Sequence, residues 1–206
     1  GKKHGRKHAF KVLCPDNLIT LMMGRGGSAK GHLEEETGCK IIFSNREDFF
    51  PGTSLRTLCV YGDDPESIMT VLERMVDIVV AGGEQELQGP VKGEPEFLGK
   101  EEGTYLLRAA VSVRMAGAII GPKGTNIQAM RDESGGALTV DKNNHAGHQL
   151  IKIMAHPDGL KIALRRLNEF VQNDSGTEEF AMWAAVRIFA EDPYAAKGWE
   201  KGEKGE

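Results

Sequence analysis

The length and charge of the chain limit what it can be. Its 206 residues, 40% of them hydrophobic, can bury one large core or two small ones, since domains commonly span roughly 100–150 residues. No stretch approaches the ~18 uninterrupted apolar residues of a membrane span. Residues 1–10 are basic and polar, unlike a signal peptide, so a soluble intracellular protein without membrane contact is expected. The net charge of −4 and the pI near 5.9 argue against nucleic-acid binding by the overall field and favour local, concave contacts.

The first predicted unit, residues 9–84, combines strands and helices in a fixed order after a basic tail at 1–8. Periodicity and turn residues predict strands at 8–14, 40–44 and 55–61, helices at 18–23 and 28–37, and an amphipathic helix after Pro65. A glycine-rich turn at 24–27 separates the first two helices. We expect Ser28 to cap the second helix and Gly38 to end it in a left-handed conformation.

A second unit, residues 104–174, follows a segment at 85–103 that is rich in Gly, Pro and Glu and is expected to be a linker or a loosely packed bridge. Its predicted elements are strands at 104–113, 137–141 and 150–155, helices at 115–120 and 125–134, and an amphipathic helix after Pro157. Thr125 and Gly135 take the positions of the N-cap and the C-cap. The two units therefore share the order β-α-α-β-β-α.

The C-terminal part carries large apolar side chains that a free tail does not need. Phe180 and Trp183 lie in a predicted helix at 175–192, which we expect to dock, and a disordered tail at 193–206 follows.

Cysteine and histidine are placed without the spacing of metal sites. The three cysteines lie far apart without a Cys-x-x-Cys pair, and buried free thiols are expected at Cys14, Cys39 and Cys59. A loose cluster of histidines comprises His145, His148 and His156. It lacks cysteine partners, and a tetrahedral site needs three or four converging ligands. No metal or cofactor is therefore expected.

The glycine-rich turns are the strongest sign of an internal repeat. When Gly24 is aligned with Gly121, residues 22–28 match 119–125, and the acidic, hydroxyl and glycine residues at 35–38 match 132–135. A Gly-x-x-Gly turn between two helices lets a ligand approach the backbone, while the amides that open the second helix suit a phosphodiester. Arg25 and Lys123 add one positive charge to each turn. One such turn is a weak signal, but its repetition in the same context is specific.

Two further segments carry a resemblance to a known family. Residues 48–56, DFFPGTSLR, and residues 116–121, AGAIIG, resemble the KH domain family of type I topology, within it the poly(C)-binding, heterogeneous nuclear ribonucleoprotein K and Nova-like RNA-binding proteins. The resemblance covers about 10–173. It implies an α+β fold of two type I KH domains, each a three-stranded antiparallel sheet packed on three helices, plus the C-terminal helix.

The same resemblance implies which residues form the binding sites. About four nucleotides would lie in each groove, with the backbone against the loops Gly24, Arg25, Gly26, Gly27 and Gly121, Pro122, Lys123, Gly124. The bases would lie on an apolar floor of Leu21, Met22, Leu33, Ile41 and Phe43 in the first copy and Ala118, Ile119, Ile127, Leu138 and Val140 in the second. Backbone groups of the second strand, together with Lys40 and Arg56, would read base edges. The alternatives are that the floor residues are core and that the two cations are solvated.

Three departures from the family pattern distinguish the grooves. Lys30 stands where the family has an aliphatic residue, whereas the second copy keeps Ile127. The second copy has Ala137 and Gln149 in place of the two base-reading cations, and Pro122 removes one amide from its loop.

The chain is therefore expected to bind single-stranded RNA or single-stranded DNA in short pyrimidine-rich motifs. The expected role is post-transcriptional regulation such as splicing, in the nucleus or the cytoplasm. The alternative is that one domain serves protein contact or dimerisation, through the helix of Trp183. No enzyme is expected, because no nucleotide-binding loop or catalytic constellation is present.

Overall fold

The computed structural model describes residues 6–90, 93–187 and 189. Most of the basic tail and all of 193–206 lie outside these residues. The first unit comprises β1 His8–Cys14, α1 Asp16–Met23, α2 Ser28–Thr37, β2 Lys40–Phe43, β3 Arg56–Gly62 and α3 Pro65–Gln88. The second comprises β4 Tyr105–Ser112, α4 Val113–Ile120, α5 Thr125–Ser134, β5 Ala137–Val140, β6 His148–Ala155 and α6 Pro157–Asn173, and α7 Glu178–Ala185 follows. The predicted order of elements is confirmed in both units.

The strands of the two units form one continuous sheet. Its order is β2-β3-β1-β4-β6-β5, and every neighbouring pair is antiparallel. The junction is short, since β1 meets β4 only where Val12 lies opposite Ala109 and Leu13 opposite Arg108. The sequence predicts two separate three-stranded sheets, and their fusion at this junction was not predicted.

The long helices α3 and α6 cover the junction on one face of the sheet. Polar contacts bind them to each other. Lys161 Nζ lies 3.2 Å from Asp77 Oδ1, Arg165 lies 2.7 Å from Glu66 Oε1 and 3.5 Å from Glu73 Oε1, and Asn168 Nδ2 donates to the Pro65 carbonyl at 3.0 Å. Most buried residues of both units share one core, and a smaller cluster that includes Leu13 and Ala110 also joins the two units. The two units are therefore packed into one body.

The segment between the units is packed rather than extended. Helix α3 continues to Gln88, and the Glu86 carboxylate accepts the backbone N–H of Glu96 at 2.8 Å and that of Leu98 at 3.2 Å. Phe97 is buried, and its carbonyl accepts the N–H of Leu106 at 2.8 Å. Within residues 93–103, Phe97 thus adds to the core beside β4, while residues 93–95 and 100–103 are exposed.

Helix α7 lies on the face of the sheet opposite the other helices. It buries Phe180 and Trp183 and leaves Met182 exposed. The helix ends at Ala185 because Val186 is extended, with φ −72° and ψ 119°, so the prediction of a helix over 175–192 was too long. The apolar side that the sequence offers for dimerisation is used within the chain.

Lys11 fastens this helix to the sheet. Its side chain is 1% exposed, and Nζ donates to the carbonyl oxygens of Trp183 and Val186 and to Nε2 of His148 at 2.9 Å. His148 Nδ1 donates to the Ala146 carbonyl at 2.8 Å, which leaves Nε2 as the acceptor. Because β1 belongs to the first unit and β6 to the second, the contact also bridges the two units.

Candidate nucleic-acid interface

The two glycine-rich loops have nearly the same backbone. Gly24 and Gly121 have φ values of 69° and 74°, both with extended ψ, and Gly27 and Gly124 are left-handed. Gly26 and Lys123 take equivalent positive φ values of 63° and 55°. A lysine in this region is uncommon, because its Cβ crowds the backbone. The second loop therefore holds its cation in a conformation that the first reaches with glycine.

The helices after the loops begin without side-chain caps. Gly27 and Gly124 are the N-cap residues, while Ser28 and Thr125 are already helical. The prediction that these two hydroxyl residues are N-caps was wrong, because the left-handed glycines turn the chain one residue earlier. At the other ends Gly38 and Gly135 are left-handed, with φ 73° and 67°, as predicted.

The first glycine of each loop allows α1 and α2, or α4 and α5, to approach closely. A Cβ added at Gly24 would lie 2.5 Å from Ala29 Cβ and 3.0 Å from the Ala29 nitrogen, whereas a Cβ at Gly26 meets nothing within 4 Å. A Cβ at Gly121 would lie 2.5 Å from Asn126 Cγ, and Asn126 Nδ2 in turn donates to the Ala118 carbonyl at 2.9 Å. In the first unit, substitution of Gly24 or of Gly26 by alanine therefore gives a matched test of this close approach.

Gly24→Ala is expected to lower the free energy of unfolding by about 2–3 kcal/mol, since it combines a steric clash with strain at positive φ. Gly26→Ala carries the strain alone, so we expect a loss of about 1 kcal/mol. Urea denaturation followed by circular dichroism measures both values. Equal losses for the two variants would contradict the proposed close approach.

Each loop presents one cation to solvent. Arg25 and Lys123 are exposed, and the side chain of neither makes a hydrogen bond or an ion pair with any residue in the described part of the chain. A free guanidinium or ammonium beside backbone amides is suited to a phosphate oxygen. Pro122 supplies no N–H, so the second loop offers one donor fewer.

The predicted apolar floor divides between core and surface. Four of its members are at most 1% exposed and pack into the core: Met22, Ile41, Ile119 and Leu138. Leu33 and Ile127 are also buried, at 7% and 6%. Burial of these six residues favours the alternative that they belong to the core, and their contact with bases stays a prediction.

The floor residues that solvent reaches lie beside the loops and on the edge strands. Leu21, Phe43 and Val140 are half-buried, and Ala118 is exposed. One neighbour that was not predicted, Ile120, is exposed directly before the second loop. Ile42 and Thr139 are also accessible, but they alternate with Phe43 and Val140 along β2 and β5, so their side chains lie on the opposite face of the sheet.

The edge strands β2 and β5 present main-chain groups to the same surface. Glu34 Oε2 accepts the N–H of Ile41 at 2.9 Å, so this residue points away from β3. In the second unit Arg131 occupies the equivalent position and donates from Nη2 to the Leu138 carbonyl at 2.9 Å. Since outward-facing residues alternate along an antiparallel strand, the main-chain groups of Phe43 and Val140 also face outward. The family resemblance implies that backbone groups of these strands read base edges, and the structure leaves these groups accessible for that role.

The three predicted cations of the first groove differ in accessibility. Arg56 Nη2 donates to the Ser44 carbonyl at 2.6 Å and Nη1 to Asp16 Oδ1 at 3.3 Å, and its side chain is 13% exposed. Lys40 Nζ lies 3.9 Å from Glu34 Oε2 with its side chain 46% exposed, while Lys30 Nζ lies 3.3 Å from the other oxygen of this carboxylate. Lys40 is therefore the accessible base-reading candidate, and Arg56 chiefly secures the end of β3.

The second groove has fewer polar groups at the equivalent positions. Ala137 is exposed, and Gln149 Nε2 donates to the Asp141 carbonyl at 2.9 Å. Its contacts therefore depend on Lys123, on main-chain groups and on apolar surface.

Buried thiols and histidines in the described part of the chain do not form a reactive or metal-binding cluster. Burial raises the pKa values of the Cys14 and Cys59 thiols, which keeps both protonated and unreactive at neutral pH. Within residues 6–90 and 93–187, and at Phe189, no group of three or more His, Cys, Asp or Glu residues could hold a metal ion. No helix among the same residues is long and apolar enough to cross a membrane.

Both units of the chain match a model of a known protein family. The family model of the KH domain matches residues 9–77 and 107–169. RNA-binding protein Pasilla of Drosophila melanogaster is 26% identical over 149 residues, which are 68% of this chain and 17% of that protein. RNA-binding protein Nova-2 of Homo sapiens is 25% identical over 175 residues, 82% of this chain and 35% of that protein. The chain thus spans at most about a third of the length of these relatives.

A third relative and one solved structure have similar coverage of this chain. Far upstream element-binding protein 1 of Homo sapiens is 24% identical over 82% of this chain and 25% of that protein. The crystal structure of Dim2p from Pyrococcus horikoshii OT3 matches 86% of this chain and 96% of its own, with 18% identity and a TM-score of 0.30.

Proposed function

This chain belongs to the KH domain family, and on that premise we propose that it binds single-stranded RNA in two grooves, one beside each Gly-x-x-Gly loop. One observation carries the proposal: two loops of the same backbone geometry each hold an exposed, unpaired cation next to an edge strand with outward main-chain groups. Pasilla and Nova-2 are RNA-binding proteins by name, which supports RNA over DNA as the ligand.

Each groove would divide recognition between phosphate and base. The loop and its cation hold the sugar-phosphate backbone, and this contact gives affinity without sequence preference. Bases lie on the accessible apolar residues, Leu21 and Phe43 in the first groove and Ala118 and Val140 in the second. Their edges meet the main chain of β2 or β5, which favours unpaired bases over a duplex.

The first groove is proposed to be the more selective of the two. Lys40 is accessible there and donates three hydrogen bonds at most, which suits the carbonyl acceptors of pyrimidines. We propose on the family resemblance, together with this side chain, that the grooves prefer short pyrimidine-rich motifs. The same resemblance supports a role in post-transcriptional regulation such as splicing, in the nucleus or cytoplasm.

The proposal is tested by titrating labelled oligonucleotides of cytidine, uridine or adenosine, in RNA and DNA forms, against loop variants. Arg25→Asp/Gly26→Asp and Pro122→Asp/Lys123→Asp place acidic groups where phosphate would lie, in positions open to solvent. We expect each variant to weaken RNA binding by about tenfold or more, and the effect to shrink as the salt concentration rises.

Lys100→Asp/Ala181→Asp is the matched control. It changes the net charge by the same amount at two exposed positions outside both grooves. It should bind RNA as the wild type does. If the control loses as much affinity as the loop variants, or if the wild type binds none of the oligonucleotides, the proposal fails. Self-association that ignores RNA would instead favour the protein-contact alternative.

A further inference from the structure

The pairing of β1 with β4 relates the two KH domains by an approximate twofold axis. Residues of the repeat correspond when Gly24 is aligned with Gly121, so Val12 corresponds to Ala109. Val12 also lies opposite Ala109 in the sheet, and Leu13 lies opposite Arg108, the counterpart of Lys11. A strand that pairs antiparallel with its own counterpart, at the same residue, has a twofold axis between the two strands. All six KH helices lie on one face, so this axis is perpendicular to the sheet.

The same topology fixes the directions of the two edge strands. β2 is antiparallel to β3, which is antiparallel to β1, and so β2 runs with β1. β5 runs with β4 for the same reason. Because β1 and β4 are antiparallel, β2 and β5 run in opposite directions at opposite edges of the sheet. Twist of the sheet tilts both strands out of its mean plane. Within that plane, β2 and β5 still run in opposite directions.

The orientation of the domains is held by buried contacts as well as by the sheet. Gln172 Nε2 of α6 donates to the Ala9 carbonyl of β1 at 2.7 Å and to Asn168 Oδ1 at 2.9 Å, both buried. On the opposite face, Lys11 and His148 connect the two units beneath Trp183. A body fixed on both faces of its sheet does not allow one groove to rotate relative to the other.

We propose that the tandem binds an RNA strand that turns back on itself, with one segment in each groove. This inference rests on the proposed RNA binding. Both loops have the same backbone and the same position relative to their edge strand, so the bound strand has the same polarity relative to β2 as to β5. The twofold axis then makes the two segments run in opposite in-plane directions.

The width of the sheet sets the spacing of the segments. Neighbouring strands lie about 4.8 Å apart, so the edges β2 and β5 are separated by roughly 24 Å. Two adjacent motifs cannot occupy both grooves, because the strand must cross this width between them. The ligand is therefore an RNA with two short single-stranded motifs separated by a spacer, such as the two sides of an open loop.

Energy transfer between the ends of one RNA tests this geometry. The probe carries two stretches of about six uridines, or cytidines if these bind better alone, joined by abasic spacers of roughly 5, 10 or 20 units, with a donor dye at one end and an acceptor at the other. With enough spacer, the expected affinity is at least about tenfold higher than for one stretch. Transfer should rise on binding and should stay constant as the spacer lengthens.

Loop variants separate this inference from the proposed function. With Arg25→Asp/Gly26→Asp or Pro122→Asp/Lys123→Asp, only one groove holds RNA, so the gain in affinity and the constant transfer should both disappear. If both loop variants weaken binding but transfer in the wild type falls steadily with spacer length, the turned strand is wrong and RNA binding stands. If single stretches do not bind the wild type, both proposals fall.

Discussion

Replacement of Lys11 by alanine is expected to lower the free energy of unfolding by about 4 kcal/mol, the largest single effect that the structure predicts. The substitution removes the donor to two carbonyl oxygens and to His148 Nε2, and each buried acceptor left without a partner costs about 1–3 kcal/mol. The ammonium group also lies 5.1 Å from the centre of the Trp183 ring, a favourable cation–π contact. Burial lowers the pKa of Lys11 to about 8, and this cost of burying the charge offsets part of the gain.

Urea unfolding followed by tryptophan fluorescence and by circular dichroism measures the Lys11 effect. Lys7→Ala is the matched control, because it removes the same side chain from an exposed position directly before β1. A change within about 0.5 kcal/mol is expected. A loss below about 1 kcal/mol for Lys11→Ala would show that α7 does not depend on this side chain.

Acid is expected to destabilise the protein through His148, the second large effect. Burial, and then the charge of Lys11, lower the pKa of this imidazole from 6.5 to about 3. Below pH 6.5 the unfolded chain therefore binds a proton that the folded chain excludes. The free energy of unfolding then falls by about 1.4 kcal/mol per pH unit as the pH drops from 6.5 toward 3.

Carboxyl groups also titrate in this range, so the His148 contribution is obtained as a difference. His148→Gln keeps a neutral side chain that can accept from Lys11, and it should lose stability at pH 7 but show a shallower decline in acid. Between pH 6.5 and about 4.5 we expect the two slopes to differ by about 1 kcal/mol per pH unit. Parallel slopes would mean that His148 is protonated in the folded protein.

The sequence predicted the order of elements because each element carries a local signal. The bounds of β1 coincide with the prediction, and Gly38 and Gly135 end their helices in the left-handed conformation expected of glycine. The recognition of a tandem KH protein is confirmed by the family model over both repeats. These features depend on residues close together in the chain.

The fusion of the two sheets could not be read from the sequence. β4 is buried on both faces along nearly its whole length, and an apolar strand without alternation does not indicate which neighbour it pairs with. The pairing of β1 with β4 joins residues far apart in the chain. Lys11 gave no signal either, since a lysine within a strand usually extends to solvent.

The floor of the grooves was only partly predictable. Helix α1 has apolar residues on almost every side, so its period does not separate Met22, which is buried, from Leu21, which solvent reaches. Arg56 was expected to read bases, but its bonds to Ser44 and Asp16 depend on the fold of residues 44–55. Which groups contact RNA therefore stays a prediction.

Mapping of amide chemical shifts during titration with a short uridine or cytidine RNA tests the central claim most directly. If the two KH grooves bind RNA, the amides of 24–28 and 121–125 and those of β2 and β5 will shift, while those near Lys11 and Trp183 on the opposite face will not. Shifts confined to α7 and the opposite face of the sheet, or saturable binding that leaves both loops unperturbed, would contradict the account.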